Sequence, residues 1–363
     1  MAQFRRSPAK FVLILAAALA WAVFTGEGRA GSPVEKPEEY LSITDSSGYV
    51  EARDAAGRSL ALIERGAQVP PGFPPSRVLK RPVRRIVLAG GPFEANLLEV
   101  LGLSEAIVGV SMAREEWRIE EIRQGFDGGR IIFVGEPGTL DYERLKILNP
   151  DLVIASNPAA VAMLEELGLT AIMTYTSQDN SLATRFKVVD FLAAFGNQEE
   201  QAALWRQRVL EAIEDVKART AGLKPPKVMW GLVHQKRVFV EPGRNWLVEL
   251  IALANGDYLF DDVPGDSTIE VSLEPFVQGG READILFIYP TAFLAGISKE
   301  EMIRHHFYLR EFKSLSAEGR VLAAKPLFYQ SAGRLDEIVL EIAAILHPAV
   351  YPDYQLKFFD EIK

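Results

Sequence analysis

The sequence predicts an α/β protein: two Rossmann-like lobes with central parallel sheets, joined by one long connector helix, with a ligand cleft between the lobes. Three observations carry this. Short apolar runs alternate with helix-length amphipathic runs over residues 81–180 and again over 223–363, the rhythm of parallel strands with helical crossovers. Between them, residues 181–222 read as helix throughout. And one compact unit, "DYERLKILNPDLVIAS" at 141–156, returns in outline as "VSLEPFVQGGREADILFIYP" at 271–290.

Residues 1–30 read as a secretory signal. "MAQFRRSPAK" supplies positive charge, and "FVLILAAALAWAVF" is an apolar run of fourteen. Gly28 and Ala30 in "GEGRA" then stand at −3 and −1 of a cleavage site. The run is shorter than the roughly 20 residues a spanning helix needs, so cleavage and export are expected. Residues 31–80 form an N-terminal extension, with a hairpin in "GYVEARDAAGRSLALI" and a proline-rich connector in "VPPGFPP".

The first lobe, 81–180, opens with strand "RIVLA" and helix "GGPFEANLLEVLGL". Strand "AIVGVS", an irregular stretch "MAREEWRIEEIRQGFDGG" and strand "RIIFVG" follow. The 141–156 unit is a short helix with Glu143 outward and Leu145, Ile147 and Leu148 buried. Asn149-Pro150 stops it, because the residue before proline disfavours the helical region. Strand "DLVIA", helix "AAVAMLEELGL" and strand "TAIMTYT" complete the lobe.

The connector, 181–222, repeats apolar residues at helical spacing: Phe186, Val189, Leu192 and Ala193, then Leu204, Val209, Ile213 and Val216. Gly196-Asn197 interrupts it. The second lobe, 223–363, runs through strands "KVMWGLV" and "RVFVEP", helix "NWLVELIALANG", the 271–290 unit and strand "RVLAAK". Helix "RLDEIVLEIAAILHP" closes the fold. A single stiff crossing allows little hinge motion and places the ligand between the lobes, at the carboxyl ends of strands.

Composition excludes several chemistries. The chain has 363 residues and a net charge of −9, with no long basic run beyond its N-terminus, which argues against a nucleic-acid partner. It has no cysteine, which removes disulfides, thiolate metal sites, a cysteine nucleophile and a lipid-modified cysteine anchor. His305 and His306 are adjacent and cannot share a helix face, and His347 reads as a cap, so a three-histidine metal site is not expected. "GGPFEAN" lacks the ending of a phosphate loop, and "VSLEP" is not a nucleophile elbow. Glu115-Glu116 and Asp261-Asp262 read as solvated charges. No catalytic residues are expected.

From about Arg84 onward the chain resembles the periplasmic substrate-binding proteins of ABC importers for ferric siderophores, haem and vitamin B12. The markers are "RRIVLAGG", "VGVS", "DYERLKILNPDLVIAS", the connector helix, "VSLEPF…ADILFI" and "EGRVLAAKPLFYQSAGRLDEIVLEIAAILHP", in that order. The resemblance places ligand residues on the loops after strands. In the first lobe these are Gly91-Pro92-Phe93, Arg114, Trp117, Pro137-Gly138, Ser156 and Asn157. In the second they are Trp230, His234, Arg244, Trp246, Phe328, Tyr329 and Gln330. Aromatic faces stack on conjugated rings and arginine forks onto carboxylates, so the expected ligand is a flat, anionic metal chelate. A ferric siderophore is preferred, then haem, then a corrinoid. His234 and Tyr329 are the residues able to ligate a haem iron axially.

The resemblance also explains the doubled unit. Glu143 and Glu274 are implied to engage arginines, one on each subunit of a permease dimer in the membrane. The expected protein is a monomeric, non-enzymatic periplasmic carrier without a cofactor of its own and without a lipid anchor. Two other readings remain: a two-lobed metal chelatase acting on tetrapyrroles, and a ligand sensor docking on a receptor.

Overall fold

The computed structural model describes residues 40–174, 180–234, 237–265, 267–289 and 298–363. The expected signal, 1–30, lies outside the described residues.

The extension is a four-stranded sheet of β1 (Ser42–Ser46), β2 (Tyr49–Arg53), β3 (Ser59–Glu64) and β4 (Val78–Arg81). β2 and β3 pair antiparallel, the hairpin that their alternation predicts, and β4 joins β3 in parallel. One buried carboxylate fastens the hairpin turn to the first lobe. Asp54 accepts from Ala56 N, Arg58 N and Met173 N at 3.0, 2.9 and 3.1 Å, and pairs with the Arg58 guanidinium. Arg58 also donates to Ala171 O at 2.8 Å. Tyr40 lies against the connector, its hydroxyl 3.4 Å from Thr184 Oγ1.

The first lobe is an all-parallel sheet of β5 (Ile86–Leu88), β6 (Ile107–Val110), β7 (Ile132–Phe133), β10 (Leu152–Ile154) and β11 (Ala171–Ile172). The order is β11-β10-β5-β6-β7, and a small hairpin, β8 (Gly135–Glu136) and β9 (Thr139–Leu140), stands beside it. Its helices are α1 (Phe93–Val100), α2 (Glu120–Asp127), α3 (Tyr142–Leu148) and α4 (Pro158–Glu166). The irregular stretch of the sequence thus contains α2. Asp141 caps α3 through Arg144 N, and Asn149 ends it in the left-handed region with φ 45°. Leu145 is buried, but Ile147 is 84% exposed, against the sequence expectation. Two residues on from Leu145 is about 200° around a helix, so a seven-residue helix that buries Leu145 turns Ile147 outward.

The connector is two helices, α5 (Leu182–Gly196) and α6 (Glu199–Thr220). Asn197, at φ 54°, ends the first. A Cβ on Gly196 would lie 2.6 Å from Leu103 Cδ1, so glycine allows α5 to approach the first lobe closely. On α6 the buried stripe is Ala202, Trp205, Val209, Ile213 and Val216. Leu204, expected in that stripe, is 52% exposed because Trp205 takes the inward position.

The second lobe holds β12 (Lys227–His234), β13 (Arg237–Val240), β14 (Asp257–Tyr258), β15 (Ile269–Val271), β16 (Ile285–Ile288), β17 (Arg320–Ala324) and β18 (Phe359–Ile362). The order is β15-β13-β12-β16-β17-β18, with β14 also beside β12. β12, β14, β16 and β17 run parallel, whereas β13, β15 and β18 add antiparallel pairings, so this sheet is mixed. The helices are α7 (Trp246–Leu253), α8 (Leu273–Glu282), α9 (Lys299–His305) and α10 (Leu335–Leu346). Buried Glu341 on α10 holds the chain into β18, accepting from Lys357 N, Phe358 N and Phe359 N at 2.7, 2.8 and 3.0 Å.

Asp54→Ala strands three backbone donors and removes one of the two carboxylates paired with Arg58, the other being Glu165. It is expected to lower stability by about 2–4 kcal/mol in urea denaturation. A loss below about 0.5 kcal/mol would show that the extension is not anchored there.

Candidate ligand-binding cleft

A cavity of ≈ 190 Å³ opens where the second lobe meets the first lobe and the connector. Phe93 reaches it from the start of α1, Asn180 and Arg185 from the start of the connector, and the remaining walls come from the second lobe. Trp246 and Phe328 stack at 6.0 Å with 14° between their planes. The Arg185 guanidinium packs over Phe93 at 4.7 Å and over Trp246 at 4.1 Å, and donates to Asn180 Oδ1 at 3.0 Å. One cation from the connector therefore touches an aromatic ring of each lobe.

Of the residues expected at the ligand, Phe93, Trp246, Phe328 and Tyr329 line this cavity. Asn245 caps α7 through Leu247 N at 2.9 Å and so fixes where Trp246 begins the helix. Phe328 and Tyr329 lie on a 3₁₀ turn after β17, at the carboxyl edge of the sheet.

The other expected ligand residues do different work. Trp117 is buried in the first lobe, its indole N–H donating to Met112 O at 3.2 Å. Trp230 sits inside β12, stacked on Phe287 at 4.9 Å, because helices and loops cover both faces of that strand. Arg114 is held in a forked pair with Asp127, both bonds 2.6 Å. Asn157 caps α4 through Ala160 N, and Ser156 packs against Gly90. His234 is half-buried at the end of β12, and Arg244 is exposed; neither lines the cavity. Pro137-Gly138 form the β8–β9 turn. Gln330 joins the lobes instead: its Oε1 accepts from Arg118 N at 2.7 Å and its Nε2 donates to Glu116 O at 2.8 Å.

Sequence reasoning missed Arg185, Glu241, Thr268 and Tyr289. Two of these had a signal. Tyr289 directly follows the carboxyl end of β16, and Arg185 is a cation one turn into a helix, where the helix dipole opposes it. Glu241 is 1% exposed. Its Oε1 accepts from Thr268 Oγ1 at 2.6 Å and Tyr289 OH at 2.8 Å, and its Oε2 accepts from Asn245 Nδ2 at 2.6 Å. Burial pushes the Glu241 carboxyl up, against the pull of the Thr268 and Tyr289 hydrogen bonds. Burial and the charge of Glu241 push the Tyr329 phenol up. Among the described residues no group of three or more His, Asp or Glu side chains could hold a metal ion.

Glu143 and Glu274 lie on the outer surface, exposed, each at the second position of its helix, α3 and α8. Each of these helices leads into a parallel strand, β10 or β16. The doubled unit of the sequence is thus a doubled unit of structure.

A raised folded-state value for Glu241 means that the folded protein holds its proton longer than the unfolded chain. Its contribution is intact at low pH and is lost as pH rises above the ordinary value of about 4.5. Glu241→Gln should therefore gain stability relative to the wild type between pH 5 and pH 8. Urea denaturation at both pH values checks the sign. A relative loss on raising pH would contradict the account.

The comparisons with known proteins agree with this fold. An uncharacterized lipoprotein of Methanocaldococcus jannaschii is 23% identical over 322 residues, covering 84% of this chain and 76% of its own. That relative is named a lipoprotein, whereas the present sequence contains no cysteine. Helicobacter pylori CeuE, solved as a nickel–histidine complex, matches with a TM-score of 0.60 at 18% identity, over 84% of this chain and 90% of its own. The periplasmic haem-binding protein HutB of Vibrio cholerae matches with a TM-score of 0.59 at 18% identity, over 73% and 99%. At these identities the structures share the fold. The family model described as periplasmic binding protein matches residues 87–309, more than half of the chain, and this chain belongs to that family.

Proposed function

We propose that this chain is an exported solute-binding protein that captures a metal chelate between its lobes and delivers it to an ABC importer. The observation that carries the reading is the cavity itself: aromatic rings from both lobes meet a connector arginine, inside a member of the periplasmic binding family. Such walls suit a flat, acidic ligand. A ferric siderophore is the preferred class, with haem and corrinoids next. The nickel–histidine complex of CeuE and the haem binding named for HutB support a metal complex as the ligand class. Tyr329 is the better placed of the two axial candidates, because it faces the cavity and His234 does not line it.

The chemistry of the reading is binding and release, with no covalent step. The family is one of binding proteins, which favours this over a chelatase. The doubled glutamates favour importer docking over a receptor: two equivalent handles fit a partner with two equivalent subunits. Exposed charge pairs of this kind set orientation and encounter rate more than affinity.

Tryptophan fluorescence of the chain from residue 31, titrated with ferric siderophores, haem and cobalamin, tests the ligand class. Saturable quenching by one class at sub-micromolar concentration is expected, with Trp246 as the reporter; silence across the panel would sink the chelate reading. A second prediction separates docking from capture. Combined Glu143→Ala and Glu274→Ala should leave ligand affinity within about twofold and cut uptake at least tenfold. Equal losses in both would remove the docking role.

A further inference from the structure

We propose that Gln330 is a positioning residue of the cleft: its side-chain amide ties the cavity wall to the first lobe, so that parting of the lobes and loss of the wall are one event. This rests on the reading of the cavity as the ligand site and deepens it into a route for release.

The 3₁₀ turn Phe328–Gln330 and the residues after it face two ways. Phe328, Tyr329 and Ala332 line the cavity. Gln330 and Gly333, interleaved with them, bond to the first lobe. The turn itself is stiff: Gln330 N donates to Leu327 O at 2.9 Å, and Ser331 Oγ donates to the same oxygen at 2.7 Å. A shift on one side of the turn therefore carries the other side with it.

The tie to the first lobe depends on the amide. Gln330 is 1% exposed. Its Oε1 accepts from Arg118 N at 2.7 Å and its Nε2 donates to Glu116 O at 2.8 Å, so the amide straddles Trp117 as a neighbouring strand would. Trp117 is extended there, with φ −76° and ψ 140°, and its ring is buried in the first lobe. The backbone that Gln330 grips is thus itself anchored. Three residues on, Gly333 N donates to Asn96 Oδ1 at 2.7 Å, and the Trp205 indole donates to Gly333 O at 2.6 Å. A Cβ on Gly333 would stand 2.8 Å from Asn96 O, so glycine allows this approach. Asn96 lies on α1, whose first residue, Phe93, is the first lobe's own part of the wall.

Both walls therefore hang on one junction. Losing the Gln330 amide leaves the Arg118 N–H and the Glu116 carbonyl without it and loosens that junction. A ligand held between Phe93 and Tyr329 is freed when the junction opens, and a docked partner that parts the lobes releases it.

The test needs no ligand. The chain from residue 31 is labelled with 3-fluorotyrosine, and Tyr329 is assigned by the fluorine signal lost in Tyr329→Phe. That signal reports the wall, and hydrogen exchange at the Trp205 indole reports the junction. Trp230, enclosed in β12, is the reference for global opening. Gln330→Ala should speed Trp205 exchange at least about tenfold more than Trp230 exchange, and shift or split the Tyr329 signal. Gln330→Met, which keeps the bulk and loses both bonds, should do the same. Equal acceleration at Trp205 and Trp230 would mean a merely structural role. An unmoved Tyr329 signal, or rescue by methionine, would likewise overturn the assignment. If neither variant folds, the wild type decides: the Trp205 indole and the Arg118 amide should share one protection factor to within about tenfold, and a wider gap overturns it. Silence across the chelate panel would sink the chelate reading and leave these outcomes untouched. A Tyr329 signal blind to Gln330 would do the reverse.

Discussion

The close pinning of the connector to both lobes governs the rest of this molecule. Gly196 lets α5 press onto Leu103 of the first lobe, and Asn197 turns the chain into α6. The buried stripe of α6 then packs on α10 of the second lobe, where the Trp205 indole donates to Gly333 O at 2.6 Å. Gly333 N in turn donates to Asn96 Oδ1 of the first lobe at 2.7 Å. With Gln330 bridging to the 116–118 loop, the lobes are joined by packing and hydrogen bonds as well as by the chain. Such bonds have fixed lengths, so the spacing of the cleft is set by the fold before any ligand arrives. The cost of closing a hinge on the ligand is then small, and more of the contact energy appears as affinity.

That constraint explains why Arg185 is central. It sits near the start of α5, the helix that both lobes grip, and its side chain meets a ring from each. The extension reinforces the same place. Tyr40 contacts Thr184, one residue before Arg185, and the Asp54 turn fastens the end of β11 that leads toward the connector. The extension therefore braces the N-terminal end of the connector, which gives residues 40–81 a structural part in shaping the cleft.

The architecture was legible because it is written in periodicity. Parallel strands covered on both faces read as continuous apolar runs, and the connector reads at helical spacing. What failed was finer. Ile147 reads as inward from its hydrophobicity and Leu204 from its helical spacing, although neighbours on the same helix, Leu145 and Trp205, fix which side is buried. β18 is not legible because "FDEI" carries no period-two alternation, and Glu341 rather than its own pattern holds it in place. The site was half legible. Phe93, Trp246, Phe328 and Tyr329 stand at element starts or strand ends, where a linear pattern locates them. Trp117, just after a 3₁₀ turn, and Trp230, in the middle of β12, are core, since aromatic character alone does not say whether a ring faces the cleft or the interior. Glu241 and Arg185 meet only through the packing of the second lobe on the connector, which no local pattern encodes.

The cleft is built in advance between rigidly joined lobes. The absence of cysteine makes one measurement direct. Spin labels at Ala159→Cys on α4 and Glu318→Cys before β17, both exposed, report the distance between lobes by double electron–electron resonance. Rigidly joined lobes give one narrow distance in the ligand-free chain, changing by no more than about 2 Å when a chelate that quenches Trp246 is added. A broad or two-peaked distribution without ligand, or a shift on the order of 10 Å with it, would show that the lobes swing and that the cleft is made by the ligand.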